Sequence, residues 1–191
     1  MKWTSKFARR AVAAVAATGA AIVIPTVALA SSGSANAPSN TTAASHCPRG
    51  FLTSWIGVPG SGATGSTYYQ LEISNVSGTT CSLYGFPGVS AIKAGGGRLG
   101  SPAGRDHSYS ELRVTLAPHT TAHVVLQIAD VGNYSSSACH PTTAAGLRVY
   151  APGDFASMVI PFQFRACARS GPVYLHVSPT IARTGIPGYS H

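Results

Sequence analysis

The run YQLEISNVSGTTCSLYGFPGV (residues 69–89) limits what this chain can fold into more than any other stretch. It opens on alternation, with Tyr69, Leu71 and Ile73 on one side and Gln70, Glu72 and Ser74 on the other. Period two is the pattern of a half-buried strand. Asn75-Val76-Ser77-Gly78 supplies turn chemistry, and Cys81 and Leu83 read as a short return strand. Phe86-Pro87-Gly88-Val89 puts Pro and Gly at the centre of a type II turn, which requires positive φ at Gly88. On that reading Gly88→Val costs more stability than Gly96→Val within the Gly95-Gly96-Gly97 run.

The same period recurs along the chain. Strands are expected at 51–56, 68–74, 80–84, 89–93, 111–116, 121–129, 147–150, 158–164 and 173–177. Inward positions are Leu112, Val114 and Leu116, then Ala122, Val124, Leu126 and Ile128, then Met158, Ile160, Phe162 and Phe164. Pro161 cannot donate to a ladder, so its strand is expected at an edge or bulged. Residues 58–66, 94–107 and 130–145 are Gly-, Pro- or Ser-rich and read as loops. No helical periodicity follows the first thirty residues. Short strands separated by Gly/Pro turns predict an all-β fold, an antiparallel immunoglobulin-like β-sandwich of about eight strands.

Residues 1–30 read as a signal peptide. Lys2, Lys6, Arg9 and Arg10 precede an uncharged apolar run, and Ala28-Leu29-Ala30 is a small-x-small cleavage site. The run is alanine-rich and interrupted by Pro25, so no stable membrane span is expected after cleavage. Residues 31–45 lack charge and large apolar side chains, which predicts a disordered linker. The folded domain is expected at 46–179, with a loose tail at 180–191. Outside the leader the chain carries nine basic and five acidic residues, a net of +4. That mild charge, without a basic stripe, argues against nucleic acid as a partner.

Cys47, Cys81, Cys139 and Cys167 are an even set in an exported domain and predict two disulfides. Of three possible pairings, Cys47–Cys81 and Cys139–Cys167 are expected, because each staples the open ends of a local pair of strands. The wide spacings and the absence of Cys-x-x-Cys argue against a zinc site.

The order strand, Asn-x-Ser-Gly, Cys81-x-Leu83-x-Gly85-Phe86-Pro87-Gly88-Val89 resembles the actinobacterial secreted family known as domain of unknown function 4232. Leu116-Ala117-Pro118 before an alternating strand, Cys139 ahead of a strand and Cys167 just after one fit the same family. The resemblance spans residues 46–179. Its members commonly carry glycine after Leu-x-Pro, where this chain has His119. The resemblance implies an extracytoplasmic β-sandwich of unknown activity and brings no catalytic residues with it.

Candidate chemistry is sparse. Ser90-Ala91-Ile92-Lys93 matches Ser-x-x-Lys, but the acylation chemistry of that motif needs both groups on one helical face. On a strand, positions three apart face opposite sides. His119 and His123 would converge on a helix, yet on a strand they lie about 13 Å apart. His123, Glu72 and Glu111 are expected on outward faces. No Gly-x-Ser-x-Gly elbow occurs. Trp55, Tyr68, Tyr84, Tyr109 and Tyr134 offer aromatic surface or core packing.

These readings point to a non-enzymatic, secreted or cell-envelope-associated module with a binding or structural role, without metal or cofactor. The alternative is a secreted enzyme with a loop-built site. The expected partner is a cell-envelope polymer or another envelope protein. Sandwiches commonly display function on loops, and the candidate binding loop is 94–109, which gathers Arg98, Arg105, His107 and Tyr109 with Asp106 as its sole acid.

Overall fold

A computed structural model describes residues 43–63 and 65–183. The expected leader, most of the linker (31–42) and the end of the tail (184–191) lie outside the described residues. Eleven strands follow in chain order: β1 Leu52–Ala63, β2 Ser66–Asn75, β3 Cys81–Tyr84, β4 Gly88–Ile92, β5 Arg98–Leu99, β6 Gly104–Arg105, β7 Arg113–Leu116, β8 Thr121–Ala129, β9 Pro141–Tyr150, β10 Ser157–Cys167 and β11 Leu175–Val177. They form a five-stranded sheet (β1-β2-β8-β11-β6), a four-stranded sheet (β10-β9-β4-β5) and a small pair (β3-β7). Every pairing is antiparallel except β11–β6. This is the all-β, sandwich-like fold expected. The third sheet and the parallel pair are additions to the eight-strand antiparallel arrangement.

Alternation explains the core. Leu71 and Ile73 from β2, Val124 and Leu126 from β8, and Leu175 and Val177 from β11 meet Val89, Ala91, Leu147, Val149 and Ile160 of the other large sheet. Leu83, Val114 and Leu116 add the third layer edge. Each large apolar side chain so buried contributes about 1.5–3 kcal/mol. Leu112 is the exception among the inward assignments: β7 begins one residue later, and Leu112 is 64% exposed.

Asn75 turns the chain from one sheet to the next. Its buried amide donates to Thr79 O at 2.8 Å and Leu116 O at 3.2 Å, while Oδ1 accepts from Ser77 N at 3.0 Å. That asparagine satisfies groups on three segments at once, so the chain leaves β2 without orphaned backbone. β3 therefore does not fold back on β2; it pairs with β7. The turn at 117–120 docks on the same residue through His119 N to Asn75 O at 2.8 Å. His119 sits there at φ +62, a left-handed conformation that suits glycine without strain.

Two expected loops are strand. Residues 58–63 continue β1 through two register shifts around Pro59. Gly, Pro and Ser are tolerated there because β1 is an edge. Residues 141–146 are the first half of β9, where Thr, Ala and Gly hide the apolar alternation. Only Val131–Asn133 and the single helical turn Ser136–Cys139, capped by Asp130 and Ser135, precede it. Pro161 is both at an edge and bulged: β10 is terminal in its sheet, with a register shift between Pro161 and Phe164.

The left-handed position expected at Gly88 lies instead at Gly85. Gly88 is the first residue of β4, opposite Tyr150, and its backbone is not left-handed; the positive φ is at Gly85 (+94). Gly96 is itself at φ +86. The expected order of Gly88→Val and Gly96→Val is therefore reversed, because a β-branched residue is strained at positive φ.

The disulfides are Cys47–Cys81 and Cys139–Cys167, with Cα separations of 4.9 and 4.5 Å. On the chain-entropy model each contributes about 3–4 kcal/mol. Both domain ends are tighter than expected. Ser82 N donates to Ser45 O at 2.7 Å, and buried Thr180 donates to Gly85 O at 2.9 Å. Ile181 exchanges two backbone bonds with His123. The disulfides, and the absence among the described residues of a helix long and apolar enough to cross a membrane, are compatible with an extracellular location.

Gly146 of β9 lies against the backbone of β10, with no room for a side chain. A Cβ there would lie 2.4 Å from Ile160 O, whereas one on Gly88 would meet Tyr150 at an ordinary 3.4 Å. Gly146→Ala is expected to cost about 1–3 kcal/mol through overpacking, with Gly88→Ala costing distinctly less. Urea melts of the two variants decide it, and equal midpoints would contradict the β9–β10 register.

Candidate functional site

The β4–β5 hairpin is closed by Lys93–Gly97, with Lys93 N donating to Gly97 O at 2.8 Å and Gly96 N to Lys93 O at 2.9 Å. Gly95 and Gly96, both at φ +86, make this closure possible. It delivers Arg98 to β5, at the margin of the four-stranded sheet. Across that sheet Ser90 of β4 is opposite Arg148 of β9, and Gly88 is opposite Tyr150. Val89, Ala91, Leu147 and Val149 point into the core, so alternation turns Ser90, Arg148 and Tyr150 to the outer face.

There the outward residues line an open cleft of about 420 Å³ with Arg98, Gly100, Ala168 and Ser170. Arg148 Nη2 donates to Gly96 O at 2.7 Å, which pins its guanidinium to the hairpin turn. Arg98 is exposed. Among the described residues no carboxylate lines the cleft, so two guanidinium charges and three hydroxyl-bearing residues line it without a compensating anion. Arginine presents a planar fork suited to phosphate and carboxylate oxygens.

The remaining wall depends on a disulfide. Residues 168–170 follow Cys167, which is bonded to Cys139. Ala168 N donates to His140 O at 3.0 Å and Arg169 N to Cys139 O at 3.1 Å. The 99–101 segment docks on this wall: Gly100 N donates to Ala168 O at 3.3 Å, and Gly171 N to Ser101 Oγ at 3.0 Å. Gly100 is at φ +64, and a Cβ there would lie 2.7 Å from Cys167 O and 2.9 Å from the Tyr174 ring. Only glycine fits.

Tyr174 fills the space beneath. It is fully buried, and its hydroxyl donates to Leu99 O across a long 3.5 Å. Burial pushes its pKa up to about 12, opposed by a backbone hydrogen bond at Cys167.

The four residues of the expected binding loop are divided by the structure. The segment crosses between sheets: β5 belongs to the four-stranded sheet and β6 to the five-stranded one. Arg98 joins Arg148 in the cleft. Arg105 and His107 instead share Phe86, with the guanidinium carbon 5.5 Å from its centroid and the imidazole edge-on at 4.9 Å. Ser108 hydrogen-bonds Asp106 and holds its carboxyl below the usual range. Burial, then the nearby Asp106 and Tyr68, raises the Tyr109 hydroxyl. Ser90, Arg148 and Tyr150 are members of the cleft that the sequence reading missed. The signal was present in the 147–150 alternation, which leaves Arg148 and Tyr150 outward, but their meeting with Arg98 depends on strand order.

Glu72 and His123 are not free surface groups. They are opposite each other on β2 and β8, and Glu72 Oε2 lies 2.6 Å from His123 Nδ1 with side chains 12% and 19% exposed. The two side chains approach closely without forming an aligned hydrogen bond. Trp55 neighbours Glu72 on β1, and Ser74 bonds Thr121 in the next row. His119 is exposed in its turn. Ser90 faces the cleft, whereas Lys93 lies in the turn after β4, with no helix to align them.

Tyr174 has a pH signature. Below pH 10.0, its ordinary value, both folded and unfolded chains keep the proton. Above it the unfolded chain ionises while the folded one resists until about 12, so stability falls through that window. Two units correspond to roughly 2.7 kcal/mol. Tyr174→Phe is expected to lose less stability than the parent between about pH 9 and about pH 12 by an amount of this order. Identical alkaline losses in urea titrations would show that Tyr174 ionises freely.

A family model described as Domain of unknown function (DUF4232) matches residues 47–180. The chain belongs to that family. No curated protein and no solved structure matches it.

Proposed function

We propose that this member of the DUF4232 family is a non-enzymatic, exported binding module that takes anionic groups of cell-envelope polymers into the Arg98–Arg148 cleft. One observation carries the reading: two arginines and the hydroxyl-bearing residues Ser90, Tyr150 and Ser170 line one cleft that, among the described residues, no carboxylate lines. A phosphodiester or carboxylate there gains charge-assisted hydrogen bonds, each worth about 1.5–3 kcal/mol. Arg148 is already oriented by Gly96 O, which lowers the entropic cost of closing on a ligand. Outside the leader a net of +4 adds long-range attraction to an acidic envelope. The cleft is open, a shape that admits one unit of a long polymer rather than enclosing a free small molecule.

The test is sedimentation of the purified protein with cell walls at low and high salt. Binding is expected at low salt and should weaken as the screening length falls from about 10 Å at 0.1 M to about 3 Å at 1 M. Arg98→Gln is expected to bind about tenfold more weakly, the equivalent of one charge-assisted hydrogen bond. Arg105→Gln, whose side chain lies on Phe86, should bind like the parent. No sedimentation at low salt, or equal loss from both variants, would remove the cleft as the site.

A further inference from the structure

A second, chemically different site lies where the edge strands of the two large sheets, β1 and β10, face each other. Two clefts meet there at Tyr69. One, of about 520 Å³, is apolar and is walled by Trp55, Ile56, Pro161 and Phe162. The other, of about 460 Å³, places Ser66, Thr67, Asp130 and Arg165 around Phe164. The Tyr69 ring stands edge-on to Phe162 at 5.0 Å, and Phe162 lies 5.4 Å from Phe164, so an aromatic floor runs from one cleft to the other. From Ile160 to Arg165 this edge extends roughly 16 Å along β10.

The edge is unsuited to adding a strand. Pro59 and Pro161 each remove a donor, and both strands slip register beside their proline. A purely apolar ligand would leave two opposite charges unused at one end. Asp130 and Arg165 line the same cleft but are not in contact with each other, since Glu72–His123 is the one acid–base side-chain contact within 4 Å among the described residues. One oxygen of Asp130 accepts from Gly132 N.

We propose that this edge binds a single-chain amphiphile with a zwitterionic head, its alkyl chain on Ile56, Phe162 and Tyr69 and its head between Asp130 and Arg165. The cation of the head faces Asp130 and its anion faces Arg165. The proposal is independent of the anionic-polymer cleft, which lies on the outer face of the four-stranded sheet.

The experiment is calorimetric titration of the purified protein with dodecylphosphocholine below its micelle concentration. Dodecyl sulfate and dodecyltrimethylammonium, which carry the same chain and one charge each, are the comparisons. The zwitterion should bind more tightly than either. Decylphosphocholine should bind more weakly by about fourfold per methylene removed. Arg165→Gln and Asp130→Asn should each weaken the zwitterion about two- to fivefold, the range of a partly solvated charge pair. Asparagine keeps the helix cap at residue 130, so the loss reads charge rather than unfolding. Arg49→Gln, remote from the clefts, should match the parent. Absence of heat below the micelle concentration, affinity independent of chain length, or unchanged binding by both charge variants would overturn the proposal.

Discussion

The structure depends on one passage: residues 98–105 leave the four-stranded sheet at β5 and enter the five-stranded sheet at β6. A sandwich can close around a dry core only if its crossing segments satisfy their own backbone groups. Here the crossing is anchored at both ends and in the middle. Gly100 N reaches Ala168 O, Ala103 N reaches Val89 O at 2.8 Å, and Asp106 N reaches Val177 O at 2.8 Å. Gly100 lets the backbone press against Cys167 and Tyr174 with no room for a side chain. The Cys139–Cys167 bond then fixes the segment against which it presses.

The same passage sets out the functional surface. Because β5 ends where the crossing begins, Arg98 is held beside β4 and β9 rather than carried on a free loop. Arg148 is aimed by a carbonyl of the preceding hairpin. The positive cleft is thus a product of sheet order, and its rigidity comes from the core beneath it. The aromatic edge has a different origin. Tyr69, Phe162 and Phe164 occupy core-facing positions at the open margin of the sandwich, where they are only partly covered. Two chemically distinct sites follow from one architecture, one on an outer face and one at an edge.

Much of this was readable in the residues. Alternation identified the buried faces of β2, β8 and β10, and proline placed β10 at an edge. The disulfide pairs were expected because each would staple a local pair of strands, and those are the pairs formed. What could not be read depends on partners distant along the chain. The first half of β9 is Thr, Ala and Gly, and is strand because β4 and β10 flank it. β3 looks like a return strand for β2 until Asn75 diverts it to β7. Positive φ fell on Gly85 and Gly96 rather than Gly88, since pairing with Tyr150 makes Gly88 extended. The candidate loop was half legible: Arg98 belongs to the cleft, but the crossing sends Arg105 and His107 to Phe86.

The central claim is that the Cys139–Cys167 wall and the crossing it supports hold Arg98 in place to bind anions. The most direct measurement is calorimetric titration of inorganic polyphosphate into two folded double variants, Cys139→Ala/Cys167→Ala and Cys47→Ala/Cys81→Ala. Each removes one bridge of similar span, 28 and 34 residues. The account predicts that the first loses polyphosphate affinity while the second, whose bridge ties the entering chain to β3, retains it. Equal affinity in the two, or loss only in the second, would contradict it.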